Sequence, residues 1–135
     1  MRLGLNRWDW RSPEHFVDSV VAGEAAGVDL CFQPVNPLGV MDPYVLFTLA
    51  AQRTERIHFG TLLETPVLRP APLAAGSCAS LDSVAPGRTM LCYGIGDTAV
   101  RWINRRPATL AELEDRKSTR LNSSHSSVSR MPSSA

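Results

Sequence analysis

Polar side chains stand where the predicted strands of this chain end, and their types could support proton transfer. They are Asn36 after the second strand, Glu64 and Thr65 at the end of the third, and Asp97 at the end of the fourth. A carboxyl group in a partly desolvated cleft can have a raised pKa and act as a general acid. Asp97 is therefore the first candidate for chemistry. Asp is also a common helix N-cap, so Asp97 is equally compatible with capping the helix that follows.

A glycine motif precedes Asp97. Gly94-Ile95-Gly96-Asp97-Thr98-Ala99 matches G-x-G-x-x-A, the loose form of the dinucleotide-binding fingerprint. A Rossmann domain carries this motif in its first βα turn, whereas here it follows the fourth predicted strand. The position of the motif counts against a Rossmann site.

Strand and helix patterns alternate along the chain. Ser12-Pro13 and Asp42-Pro43 each pair an N-cap residue with a proline suited to the first helical turn. The predicted strands cover residues 2–6, 28–32, 56–67 and 88–97, and helices are expected at 13–27, from Pro43 onward and at 73–84. Four strand-then-helix units in series predict an all-parallel α/β fold. Thr109 and Glu112 form a capping box, which predicts the start of a further helix.

Five strand-end segments follow one another along most of residues 1–110: LGLNR, AAGVDLCFQP, DPYVLFTLAAQRTERIHFGTLLETPVLR, SLDSVAPGR and YGIGD. In order and spacing they resemble the luciferase-like oxidoreductases that depend on flavin or deazaflavin. The resemblance implies the N-terminal half, about four βα units, of a TIM (β/α)8 barrel. The active sites of such barrels lie at the C-terminal ends of the strands.

The resemblance also implies a cofactor and a set of site residues. The cofactor of the intact parent protein would be FMN or a deazaflavin coenzyme, and the reaction hydride transfer or monooxygenation. Asp97 corresponds to the family's acid after the glycine motif, and the bond Leu62-Leu63 corresponds to a cis peptide bond that backs the cofactor ring. The expected catalytic residues are Asp97 and Asn36, and the expected cofactor-binding residues are Leu62, Leu63, Glu64, Thr65, Gly94 and Gly96.

Two departures from the family pattern leave the activity open. Val35-Asn36 stands where many deazaflavin enzymes have Asp-His, and Arg69-Pro70 stands where Arg-His is frequent. Asn36 can exchange hydrogen bonds but cannot replace a catalytic histidine. The alternatives to an active enzyme are a non-catalytic barrel homologue and a truncated fragment without activity. Trp8 and Trp10 could line an apolar substrate pocket or pack the first loop.

The last 21 residues are expected to be foreign to the natural protein. Residues 115–135 resemble a translated DNA-sequencing adapter, so we expect a partial barrel domain at 1–114 followed by a non-native, disordered tail. The formal charge of the whole chain is +1, but residues 1–114 contain ten Arg, no Lys and twelve Asp or Glu. This mildly acidic composition gives no reason to expect a nucleic-acid partner.

The cysteines and the apolar segments indicate the cellular location of the protein. Cys31, Cys78 and Cys92 are far apart, with no CxxC motif and no histidine at ligand spacing, so neither a metal site nor a disulfide is expected. No apolar run reaches the roughly 20 residues of a membrane helix. We therefore expect a cytoplasmic protein that acts on a small molecule and has no membrane partner. A homodimer of the intact parent is compatible with this expectation.

Overall fold

A computed structural model of the chain describes residues 1–7 and 11–114. The expected tail at 115–135 and the two tryptophans of the first loop, Trp8 and Trp10, lie outside the described residues. The strands are β1 (Gly4–Asn6), β2 (Leu30–Gln33), β3 (His58–Glu64) and β4 (Thr89–Tyr93), and the helices between and after them are α1 (Pro13–Ala25), α2 (Pro43–Ala51), α3 (Ala71–Val84) and α4 (Thr98–Trp102).

The strands form one sheet with the order β1-β2-β3-β4, and all neighbouring pairs are parallel. Leu5 lies opposite Cys31, Cys31 opposite Phe59, and Phe59 opposite Thr89. Because each strand is followed by a helix that returns the chain to the same end of the sheet, the C-terminal ends of all strands share one edge. The predicted all-parallel α/β fold is confirmed.

The predicted helix starts after Ser12, Asp42 and Thr109 are confirmed by their caps, whereas α3 begins at Ala71, two residues before the predicted start. The Ser12 hydroxyl accepts a hydrogen bond from the backbone N–H of His15 (3.1 Å), and Asp42 Oδ1 accepts one from that of Tyr44 (2.9 Å). In the capping box, the Thr109 hydroxyl accepts from the Glu112 N–H (3.2 Å), and the Glu112 carboxylate accepts from the Thr109 N–H (2.7 Å). Residues 110–114 are helical.

Two predicted strands were too long at their C-terminal ends. β3 ends at Glu64 because the backbone carbonyl of Thr65 accepts from the N–H groups of Leu68 and Arg69 (3.1 and 3.0 Å), which turns the chain away from the sheet. β4 ends at Tyr93, so residues 94–97 form a loop. Gly96 in that loop has a φ of 74°, outside the strand region.

One face of the sheet carries the core. Phe16 of α1, Phe47 of α2 and Phe59 of β3 are at most 1% exposed. On the opposite face, Phe32 and Met90 lie beside Gly60 and are half-buried. Within residues 1–7 and 11–114, no helix has the length and apolar character needed to cross a membrane.

Replacement of two exposed glycines by alanine should change the stability of the protein in opposite directions. Neither Gly76, inside α3, nor Gly87, in the turn before β4, has an atom within 4 Å of the position that a Cβ would take. They differ in the backbone, since Gly87 has a φ of 72°. Gly76→Ala should raise the free energy of unfolding by about 1 kcal/mol, and Gly87→Ala should lower it by about 1 kcal/mol. Urea denaturation of both variants tests this, and equal shifts would contradict it.

Candidate functional site

A cavity of about 430 Å³, here called the first cavity, opens at the C-terminal edge of the sheet. Its apolar walls include Val35, Ile95 and Val100. Among the residues predicted from the sequence, Asn36, Leu62, Leu63, Thr65, Gly96 and Asp97 line it. The structure therefore brings six of the eight predicted site residues together around one space.

A bulge in β3 turns two leucines toward the first cavity. Thr61 pairs with Leu91 and Glu64 with Tyr93, so β3 has one more residue than β4 between these two pairs. As a result Leu62 and Leu63, which a regular strand would point to opposite faces, are both partly exposed at 43% and 36%. The peptide bond between them is cis, as the family resemblance implied.

The predicted glycines give the first cavity its shape. A Cβ on Gly94 would lie 2.9 Å from Leu63 Cδ2, so the absence of a side chain there leaves room for the leucine. A Cβ on Gly96 would lie 2.9 Å from Val100 Cγ2 and 3.0 Å from the Thr65 hydroxyl. That hydroxyl donates to the Ile95 carbonyl (3.1 Å), which ties the end of β3 to the loop after β4. Gly94 itself does not line the first cavity, but it lies next to the Leu63 side chain, which does.

Asn36 presents an amide with unused hydrogen-bonding capacity. Its side chain is 4% exposed, and Oδ1 accepts from the Leu38 N–H (3.2 Å). Nδ2 has no hydrogen-bond partner among the residues that the structure describes. Because a buried donor without a partner costs roughly 1–3 kcal/mol, the amide is a natural contact for a ligand.

Asp97 lies on the first cavity but not in the desolvated environment expected for a general acid. Its side chain is 68% exposed and pairs with the Arg101 guanidinium one helical turn later. It occupies the N-cap position of α4 without a side-chain capping bond. The exposure follows from the loop at 94–97, which carries Asp97 beyond the end of β4.

The carboxyl group that is buried is Glu64, the last residue of β3. It lines a neighbouring second cavity of about 520 Å³, which shares Val35 and Asn36 with the first. The Glu64 side chain is fully buried, whereas the two preceding residues, Leu62 and Leu63, are not. The structure thus separates Glu64 from the other predicted cofactor-binding residues.

The surroundings of Glu64 include a phenol and a guanidinium that sequence reasoning did not identify. Oε2 lies 3.4 Å from the Tyr44 hydroxyl, which donates to it, and 3.5 Å from Arg69 Nε. The Arg69 guanidinium also stacks on the Tyr44 ring at 5.0 Å and pairs with Asp42 (2.7 Å). The sequence signal was a glutamate at the end of a mainly apolar strand, but its partners come from α2 and from the loop before α3.

Burial dominates the electrostatics of Glu64. Desolvation raises its pKa to about 7, although Arg69 and the Tyr44 hydrogen bond favour the ionised form and act against the shift. A carboxyl group with a pKa near neutrality can both donate and accept a proton under physiological conditions. Glu64 is thus the described acid best suited to proton exchange, although it does not lie on the first cavity.

The parallel sheet, the helical crossovers and a cavity at the C-terminal strand ends are the features expected of part of a TIM barrel. Residues 5–115 match the family model described as luciferase-like monooxygenase. The chain belongs to this family, which confirms the resemblance drawn from the strand-end segments.

Curated relatives and solved structures agree with this assignment. F420-dependent glucose-6-phosphate dehydrogenases of Tsukamurella paurometabola and Gordonia bronchialis are 38% and 37% identical over 93 residues, which is 63% of this chain and 28% of each relative. The chain therefore spans about a quarter of the length of these relatives.

Two solved structures share the fold. The coenzyme F420-dependent tetrahydromethanopterin reductase of Methanopyrus kandleri superimposes with a TM-score of 0.68 at 22% identity, over 77% of this chain and 29% of the reductase. The oxygenating constituent of 3,6-diketocamphane monooxygenase from Pseudomonas putida, in complex with FMN, superimposes with a TM-score of 0.70 at 24% identity, over 90% of this chain and 38% of the monooxygenase.

The buried acid predicts a pH-dependent stability. The folded chain holds the Glu64 proton up to about pH 7, whereas the unfolded chain releases it near 4.5. The stabilisation from the protonated acid is complete below the unfolded pKa and is lost as the pH rises through the folded pKa, by on the order of 3 kcal/mol. Glu64→Gln cannot ionise, so its stability relative to the parent should rise by that amount between about pH 4 and pH 8.

Urea denaturation at a series of pH values measures this difference, and parallel profiles for parent and variant would contradict the prediction. Tyr44→Phe serves as a second variant. It removes a hydrogen bond that lowers the pKa of Glu64. The carboxyl titration of Glu64, followed by carbon NMR, should therefore move to higher pH in Tyr44→Phe.

Proposed function

We propose that the protein is a flavin- or deazaflavin-dependent oxidoreductase and that this chain forms the wall of its cofactor site that faces the ring. The observation that carries the proposal is the first cavity at the C-terminal strand ends, where Leu62 and Leu63 form an apolar surface beside the unused amide of Asn36. Family membership and the deazaflavin- and FMN-dependent relatives support it.

The first cavity suits the ring of such a cofactor. Its volume of about 430 Å³ falls within the usual range of small-molecule sites, roughly 300–1,000 Å³. A flat aromatic ring can pack on Leu62, Leu63 and Ile95 and accept a hydrogen bond at its polar edge from Asn36 Nδ2. Among the described residues that line the first cavity there is no Arg or Lys, so these residues contact the ring and not a phosphate.

The residues of this chain position the cofactor, and the cofactor carries the chemistry. When bound, a reduced or oxidised ring supplies hydride transfer to or from a small-molecule substrate, or monooxygenation with dioxygen. Thr65 holds the loop at 94–97 against β3, and Asp97 at the mouth of the cavity serves as an electrostatic partner for the substrate or the ring. The proposed setting is the cytoplasm, where free thiols such as the described Cys31 remain reduced.

A second candidate function is ligand binding without catalysis. Asn36 cannot transfer a proton at neutral pH, and Asp97 is exposed and paired with Arg101. The two candidates can be distinguished by assaying intact family members that carry asparagine at the position of Asn36. Turnover of reduced flavin or deazaflavin favours the oxidoreductase, and ligand binding without turnover favours the binding protein.

If these residues contact only the ring, the phosphate of the cofactor should add little affinity. Lumiflavin, riboflavin and FMN are expected to bind the 135-residue chain with dissociation constants within about threefold of one another, a difference of less than 1 kcal/mol. Quenching of flavin fluorescence measures this. Absence of saturable lumiflavin binding would overturn the proposal, and FMN binding that is more than tenfold tighter would show that these residues also contact the phosphate.

A glycine variant tests whether the ring lies on the leucines. Gly94→Val would push Leu63 into the first cavity, because even a Cβ at this position approaches Leu63 to 2.9 Å. Overpacking of this kind costs roughly 1–3 kcal/mol, so lumiflavin affinity should fall about tenfold. Gly76→Ala, in open space on α3, is the matched control and should bind like the parent. Equal affinity in Gly94→Val would place the ring elsewhere.

A further inference from the structure

The second cavity holds two buried polar atoms of opposite hydrogen-bonding character. Glu64 Oε1 and Asn36 Nδ2 both belong to residues that line it, and neither makes a hydrogen bond of ordinary geometry to a described residue. Glu64 is fully buried and Asn36 is 4% exposed. Since buried polar atoms are satisfied in most native proteins, an unused acceptor and an unused donor on the same cavity indicate a ligand that provides both.

The charges around the second cavity disfavour an anion. Arg69 is the described cation that lines it, and its guanidinium is already engaged by Asp42 at 2.7 Å, by Glu64 at 3.5 Å and by the Ser77 hydroxyl at 3.1 Å. The two carboxylates outnumber the one guanidinium when both are ionised. A carboxylate or phosphate ligand would therefore meet repulsion without a free cation to bind.

A hydroxyl group satisfies both atoms in either protonation state of Glu64. It can donate to the ionised carboxylate and accept from the Asn36 amide, and it can also accept from the protonated carboxyl group. Burial raises the pKa of Glu64 to about 7, so both states occur near neutrality. An ammonium group could donate to Glu64 but could not accept from Asn36.

The rest of the second cavity is mainly apolar. Its lining includes the apolar side chains of Val35, Pro37, Val40, Met41, Pro43, Val67, Leu68 and Ile103. A highly hydroxylated molecule would leave most of its polar groups without partners against these walls, at a cost for each of them. The walls thus favour a ligand whose body is hydrocarbon.

We propose that the second cavity binds an uncharged, largely apolar molecule through one hydroxyl group, held between Glu64 Oε1 and Asn36 Nδ2. This site lies beside the proposed ring site and shares Val35 and Asn36 with it, and the two N–H bonds of the Asn36 amide allow one contact on each side. The binding does not require a cofactor. It can therefore be tested even if the proposed oxidoreductase function is wrong.

The test uses cyclohexanol as the probe and the Met41 methyl group as the reporter. Met41 lines the second cavity but not the first. In the 135-residue chain labelled with ¹³C at its methionine methyl groups, cyclohexanol should shift the Met41 signal saturably, with Met41→Leu used to assign the signal. Methylcyclohexane, which lacks the hydroxyl group, should bind about tenfold more weakly. Cyclohexanecarboxylate should give no saturable shift.

Two variants at one position separate the hydrogen bond from an effect on folding. Glu64→Leu removes the acceptor and should weaken cyclohexanol binding about tenfold or more. Glu64→Gln keeps an acceptor in a side chain of nearly the same shape and should stay within about threefold of the parent. The proposal is overturned if Met41 shows no saturable shift, if the carboxylate binds as tightly as the alcohol, or if Glu64→Leu binds as tightly as the parent.

Discussion

The contact among three phenylalanines holds the described structure together. Phe47 of α2 lies between Phe59 of the central strand β3 and Phe16 of α1, with ring centroids 5.4 and 6.3 Å apart. Burial of aromatic side chains is among the largest apolar contributions to a core. Because these rings join two crossover helices to one strand, they determine which face of the sheet is covered. The loops that build both cavities are positioned as a consequence.

The two ends of the sheet differ in how their polar groups are satisfied. At the N-terminal end, the Glu24 carboxylate accepts from the backbone N–H groups that precede β3, at 2.7 Å for both Arg56 and Ile57. Burial acts to raise the pKa of Glu24, but these hydrogen bonds outweigh it and keep the pKa below its usual value. Arg88 donates to the carbonyls of Ala51 and Ile57 at the same end.

At the C-terminal end, buried polar atoms of Gln33, Asn36 and Glu64 have no described partner. The Thr89 hydroxyl, at the start of β4, is the exception to this division. In barrel enzymes the N-terminal face serves stability and the C-terminal face serves function. The distribution of unused hydrogen-bonding groups leads to the same division without reference to any relative.

Sequence reasoning predicted what depends on local chemistry and missed what depends on neighbours distant in sequence. Ser12, Asp42 and Thr109 act within three residues of themselves, so their caps could be read from the chain. The desolvation of an acid depends on packing, and here it falls on Glu64 and not on Asp97. Tyr44 lies 20 residues from Glu64, and no periodicity brings the two together. The cis bond at Leu62 was anticipated through the family resemblance alone.

The two cavities differ in what builds them. The first cavity is built mainly from backbone shape and apolar surface: the β3 bulge, the glycines at 94 and 96, and the side chains of Leu62 and Leu63. The proposed ring site would therefore accept a flavin and a deazaflavin alike. The second cavity also has mainly apolar walls, but it adds the buried carboxyl group of Glu64, whose Oε1 makes no hydrogen bond to a described residue. Burial raises the pKa of Glu64 to about 7, so ionisation of this residue costs stability near neutral pH, and a ligand that engages Oε1 would recover part of that cost.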